Sequence, residues 1–145
     1  MDPKKEFEVL LVEDDTGDVE LTKEALKDSK MLINLHVVDD GVKAMNYLKR
    51  KEPYKDALKP DLIMLDLNLP RKEGREVIQE IKGDSMLKSI PIVVLTTTED
   101  EWILDECYAL GANCCIAKPI GLEEFVKIVK SVREFWFTIV KLPRV

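Results

Sequence analysis

Residues able to do chemistry stand where four short apolar runs end. Glu13 and Asp14 follow Val9-Leu10-Leu11-Val12, Asp66 follows Leu62-Ile63-Met64-Leu65, Thr96 closes Ile92-Val93-Val94-Leu95, and Lys118-Pro119 follow Cys114-Cys115-Ile116-Ala117. A carboxylate such as Asp66 can attack phosphorus and become an aspartyl-phosphate. Carboxylates held close together resist joint ionisation unless a cation stands between them. Mg2+ meets that need, because it takes oxygen ligands, accepts one or two carboxylates directly and keeps several waters. It also screens the charge that would repel an incoming phosphoryl donor. The Thr96 hydroxyl and the Lys118 ammonium supply the donors that phosphoryl oxygens require. Each residue alone has an ordinary explanation. Asp66 could cap a helix, and Glu13-Asp14-Asp15 could be an acidic surface turn with Asp18 capping the next helix. Thr96 could be a β-branched strand residue within Thr96-Thr97-Thr98, and Lys118 a solvated loop lysine. Their joint placement at strand ends is what points to one site.

The elements that must position them follow from patterning. Short apolar runs alternate with helix-period segments, which predicts repeated βαβ units and a parallel sheet, an α/β fold. The runs predict strands over residues 7–12, 33–38, 62–65, 92–96 and 114–117, and helices over 18–30, 42–51, 74–82, 99–110 and 122–140. In an open α/β sheet the carboxyl ends of the strands form the ligand-binding edge, and all five residues lie there. The third to fifth runs lack polar alternation, as strands buried on both faces do. Pro60 and Pro91 stand just before strands, where no ladder donor is needed. Pro70 stops the segment after Asp66 from continuing as a ladder. Thr98-Glu99-Asp100-Glu101 reads as a capping box, so a helix should start just after Thr98.

With 145 residues the chain has the length of one domain. A hydrophobic content of 46% supports a buried core and argues against disorder. The net charge of −6 argues against nonspecific nucleic-acid binding, which depends on neutralising phosphates. No apolar run approaches the roughly 20 residues that span a bilayer, and Met1–Glu6 lead into a strand without the apolar stretch of a signal peptide. A cytoplasmic location is expected. Cys107, Cys114 and Cys115 lack the spacing of a zinc site, and read as small buried apolar residues rather than a disulfide scaffold or redox sensor. His36, between Leu35 and Val37, reads as a plain strand residue. The charged stretch 49–59 reads as a solvated helix end and loop.

The motifs Leu-Val-Glu-Asp-Asp, Leu-Asp-Leu-Asn-Leu-Pro with Gly74, Val-Leu-Thr-Thr and Ala-Lys-Pro, in that order, resemble those of a response-regulator receiver domain. The resemblance covers about residues 7–132. It implies a doubly wound, flavodoxin-like sheet of five parallel strands in the order 2-1-3-4-5, with two helices on one face and three on the other. It implies transfer of a phosphoryl group from a histidine kinase to Asp66. By match, Asp14 would ligate Mg2+ directly and Glu13 chiefly through water. Asp66 and the backbone carbonyl of Asn68 would complete the protein ligands. Lys118 would pair with the phosphoryl group, Thr96 would move toward it, and the Lys118–Pro119 peptide would be cis. Within the family the chain is similar to stand-alone regulators associated with cyanobacterial phytochromes, on Leu-Val-Glu-Asp-Asp-Thr-Gly-Asp, Gly-Ala-Asn-Cys and Phe-Trp-Phe-Thr-Ile-Val-Lys-Leu-Pro. One departure stands out. The family usually has an aromatic three residues before the lysine, and here that residue is Cys115.

Two other aspartate- or phosphate-using classes are disfavoured. A haloacid-dehalogenase-like phosphatase places its nucleophilic aspartate first and its acidic pair last, the reverse of the order here. A flavodoxin-like carrier needs a phosphate loop after the first strand, where Glu13-Asp14-Asp15 would repel phosphate. The expected function is a signalling switch, not an enzyme beyond chemistry on its own aspartate. An intermediate that relays the phosphoryl group to a histidine phosphotransfer partner is the alternative. Residues 133–145 read as an extension of the last helix, with no separate output domain. Phe125, Ile128, Val132, Trp136 and Ile139 form one apolar stripe, and Val126, Val129, Phe137 and Val140 a second. A helix from 122 to 141 would be about 30 Å long, so residues 135–140 should protrude. A homodimer through Phe135, Phe137 and Val140 is the partner expectation beside a histidine kinase.

Overall fold

The computed structural model describes residues 6–27 and 31–143. The chain runs β1 (Glu6–Val12), α1 (Thr16–Lys27), β2 (Leu32–Val38), α2 (Gly41–Leu48), β3 (Leu62–Leu65), α3 (Gly74–Lys82), β4 (Ile92–Thr96), α4 (Glu101–Leu110), β5 (Cys114–Ala117) and α5 (Leu122–Glu134). A π-helical turn, Phe135–Ile139, continues α5. All strands pair in parallel in the order β2-β1-β3-β4-β5. This is the expected doubly wound fold.

Strand residues alternate between two cores, because successive side chains leave a strand on opposite faces. Leu10, Val12, Ile63, Leu65, Ile92 and Val94 pack with α2, α3 and α4. Val9, Leu11, Leu62, Met64, Val93 and Leu95 pack with α1 and α5. β3 and β4 are buried throughout, as their unbroken apolar runs predict. β5 is not. It is an edge strand, so Cys114, Cys115 and Ile116 are half-buried and Ala117 is exposed. Composition could not distinguish a central strand from an apolar edge.

Several helix ends differ from the sequence expectation. α1 begins at Thr16 rather than residue 18, and the last three residues expected in it, 28–30, lie outside the described residues. α2 stops at Leu48, with Lys49 at its C-cap and Arg50 at φ 55°. α4 starts at Glu101 because Asp100 is its N-cap, accepting from the Trp102 and Ile103 N–H groups; Thr98 Oγ1 instead accepts from the Asp100 N–H. Lys118–Pro119 is trans, the isomer favoured at most X-Pro bonds; among the described residues Glu52–Pro53 is the cis bond.

The last helix departs most. Phe125, Val129 and Val132 are buried, and Val126, Ile128, Trp136 and Phe137 pack against the same core. Residues from both stripes therefore contact their own domain. Phe137 stacks on Phe7 of β1, with ring centroids 4.4 Å apart, while Phe135 and Ile139 remain exposed. The buried Arg133 guanidinium donates to the Ala25 carbonyl at 2.9 Å, tying α5 to α1.

Candidate functional site

Backbone hydrogen bonds carry the pairing one residue beyond the strands. The Glu13 N–H donates to Val38 O at 3.0 Å, Asp66 N–H to Val12 O at 3.0 Å, and Lys118 N–H to Thr96 O at 2.7 Å. Asp66 is thereby set beside the end of β1, and Lys118 beside the end of β4. Beyond Asp66 the chain turns tightly into α3, with the Gly74 N–H on Leu67 O at 3.0 Å. A Cβ at Gly74 would lie 2.7 Å from Leu67 Cα and 2.8 Å from Asp66 O, so only glycine lets α3 start this close to the strand end.

Carboxylate oxygens of Glu13, Asp14 and Asp66 lie within 4.8 Å of one another. Glu13 and Asp66 are buried, at 4% and 8% exposure, while Asp14 faces solvent. Three hard oxygen donors with one open side suit a divalent cation that retains water. The Lys118 ammonium touches Glu13 Oε1 at 2.5 Å, Asp18 Oδ2 at 2.9 Å and Asp66 Oδ2 at 3.3 Å. Burial pushes the Glu13 carboxyl up to about 7; the Lys118 hydrogen bond and the Asp15 N–H pull it down, and the Asp66 charge adds to the rise. For Lys118 burial disfavours the ammonium, but hydrogen bonds to Glu13 and Asp18 and the Asp66 charge outweigh it and hold the ammonium above its usual range.

Of the residues singled out in the sequence, Glu13, Asp14, Asp66 and Lys118 come together. Thr96 is fully buried at the same sheet edge but outside the group that Lys118 joins, its hydroxyl accepting from the Thr98 N–H at 3.3 Å. Asn68 is exposed, and its N–H approaches Asp66 Oδ1 at 3.4 Å. The alternative of Asp18 as a helix cap does not hold in the structure. Asp15 Oδ1 receives the Asp18 N–H at 3.0 Å, leaving the Asp18 carboxylate free to reach Lys118.

At the position of the missing aromatic, the Cys115 N–H on the free edge of β5 donates to the Tyr108 hydroxyl of α4 at 2.9 Å. Burial pushes the Cys115 thiol up to about 11, so it is protonated at neutral pH. That state suits a packing residue rather than a reactive thiolate. His36 is paired rather than plain, with Nε2 3.0 Å from Glu8 Oε1 on the neighbouring strand.

The sequence matches the response regulator receiver domain family over residues 9–130. The chain belongs to that family. This receiver domain is 43% identical to the response regulator Rcp1 of Synechocystis sp. over 93% of its own length and 92% of Rcp1. It is 33% identical to the probable methanogenesis regulatory protein FilR2 of Methanothrix harundinacea, over 90% of this chain and 83% of that one. Its fold superimposes on the phosphorylated cyanobacterial phytochrome response regulator RcpA with a TM-score of 0.94 at 45% identity, covering 96% of this chain and 99% of RcpA. The Mn2+-bound form of Rcp1 gives 0.92 at 42% identity, covering 95% and 99%. The receiver domain is thus a response regulator of two-component signalling, similar to RcpA and Rcp1. Among its described residues no helix is long and apolar enough to cross a membrane.

Proposed function

We propose that Asp66 accepts a phosphoryl group from a histidine kinase in a Mg2+-dependent reaction, and that the receiver domain signals through protein contacts. The observation that carries this reading is the three-carboxylate cluster whose buried members, Glu13 and Asp66, share the Lys118 ammonium. Asp14, Asp66 and the Asn68 carbonyl would hold Mg2+ directly, with Glu13 acting chiefly through water. The cation would neutralise charge on the transferring phosphoryl group. The Asp66 carboxylate attacks phosphorus in line with the departing kinase imidazole. Lys118 then donates to a phosphoryl oxygen, and Thr96 would move toward the phosphoryl group and supply a second donor. RcpA in its phosphorylated form and Rcp1 in its Mn2+-bound form support the same chemistry here.

Intact mass spectrometry after acetyl phosphate treatment tests this. Wild type should gain one phosphoryl mass with Mg2+, and EDTA or Asp66→Asn should abolish it. Full labelling of Asp66→Asn overturns the assignment. Lys118→Ala should label slowly, since it loses a charge-assisted contact of about 1.5–3 kcal/mol.

The proposal extends to a cytoplasmic homodimer that binds no nucleic acid, consistent with the net charge of −6. Phe137 is occupied within its own chain, so the contact surface we propose is Phe135 and Ile139, 49% and 70% exposed, with the half-buried Val140 beside them. Ile139→Glu should shift sedimentation velocity from dimer to monomer. A wild type monomeric at about 50 μM overturns the dimer.

A further inference from the structure

Among the described residues, the carboxylates on the Lys118 ammonium are Glu13, Asp18 and Asp66. An ammonium has three N–H donors, so one serves each. Glu13 and Asp66 also belong to the group that would share a divalent cation, and Asp18 does not. We propose that Asp18 is a positioning residue that holds Lys118 Nζ in place for the phosphoryl group on Asp66. The inference rests on Asp66 being the phosphoacceptor.

A lysine ammonium is a compact charge on a flexible stem, so its position depends on what grips it. A divalent cation is the largest local charge in such a site. Glu13 and Asp66 would turn oxygens toward such a cation, and their hold on the neighbouring ammonium would loosen. Asp18 lies outside that competition. Its backbone is fixed by α1, through the Asp18 N–H on Asp15 Oδ1 at 3.0 Å and the Thr22 hydroxyl on Asp18 O at 2.8 Å. Its side chain is also the most exposed of the three, 26% against 4% for the Glu13 side chain and 9% for the Asp66 side chain, and so grips the ammonium from the solvent side. The contact to Asp66 is the longest, at 3.3 Å. That donor faces the carboxylate to be phosphorylated and is the one that passes to a phosphoryl oxygen, while Asp18 retains its own.

Calorimetric titration of the full chain with Mg2+, and then with beryllofluoride at saturating Mg2+, tests the assignment. Asp18→Ala should weaken beryllofluoride binding about tenfold and change Mg2+ affinity by less than about threefold, since a charge at the solvent side is screened. Asp18→Asn keeps an acceptor oxygen, loses the charge, and should fall between. In a Lys118→Ala background, Asp18→Ala should cost nothing further, because the residue acts through the ammonium. Beryllofluoride binding as tight as or tighter than wild type in Asp18→Ala overturns the proposal. So does a parallel loss of Mg2+ affinity, or a full additional penalty in the Lys118→Ala background. A wild type that binds Mg2+ but not beryllofluoride overturns the phosphoacceptor reading itself, and the role of Asp18 with it.

Discussion

The Phe137 ring lies on the Phe7 ring with centroids 4.4 Å apart and planes inclined by 26°. The end of the last helix is thus joined to the first strand of its own domain, and the aromatic tail is in part core.

Phe137→Ala should therefore destabilise the domain by about 2 kcal/mol, combining lost burial with a lost ring pair. Ile139→Ala, at an exposed position, should change stability by less than about 0.5 kcal/mol in the monomer. Urea denaturation measures both. Equal effects would mean that the stack contributes nothing.

Mg2+ affinity should rise with pH through about 7. Burial holds the Glu13 proton up to that pH in the metal-free protein, and a metal site needs the carboxylate. Metal binding should accordingly release a proton below pH 7 and little above pH 8. The same shift makes the metal-free fold lose stability as pH rises from about 4.5 to about 7, because the folded state holds the proton more tightly than the unfolded chain. Calorimetry in buffers of different ionisation enthalpy counts the protons released. Affinity flat from pH 6 to 8 would contradict the prediction.

Tyr108→Phe removes the acceptor of the Cys115 N–H on the free edge of β5. The Cys115 amide should exchange with solvent several-fold faster, corresponding to about 1 kcal/mol for one hydrogen bond. Amide exchange followed by NMR reads this residue directly, and an unchanged rate would show that the contact is not maintained in solution.

Gly111→Ala should cost about 1–3 kcal/mol. Gly111 sits at φ 120° at the C-cap of α4, and an added Cβ would lie 2.6 Å from Lys82 Cγ. Displacing that stem would also disturb the Lys82 ammonium, which donates to the Lys88 and Ile90 carbonyls at 2.9 Å each. In a Lys82→Ala background the penalty should shrink to the backbone strain alone, as a thermal double-mutant cycle would show.

The sequence by itself determined the fold and most of the site. Unbroken apolar runs at residues 62–65 and 92–96 read as strands of a sheet covered on both faces, and they bound β3 and β4 as observed. Once the strands are parallel, the residues just after them share one edge, so Glu13, Asp14, Asp66 and Lys118 were legible before any coordinates. What is decided by distances between elements far apart in the chain was not. Asp18 and Lys118 are 100 residues apart, and no local pattern says that a helix-terminal carboxylate will meet that ammonium rather than cap its own helix. The half-exposed β5, the Tyr108 hydroxyl at Cys115 and the stacking of Phe137 on Phe7 are of the same kind. Periodicity records which residues seek burial or a partner, but which surface or partner they meet is set by packing, and that exists only in the tertiary structure.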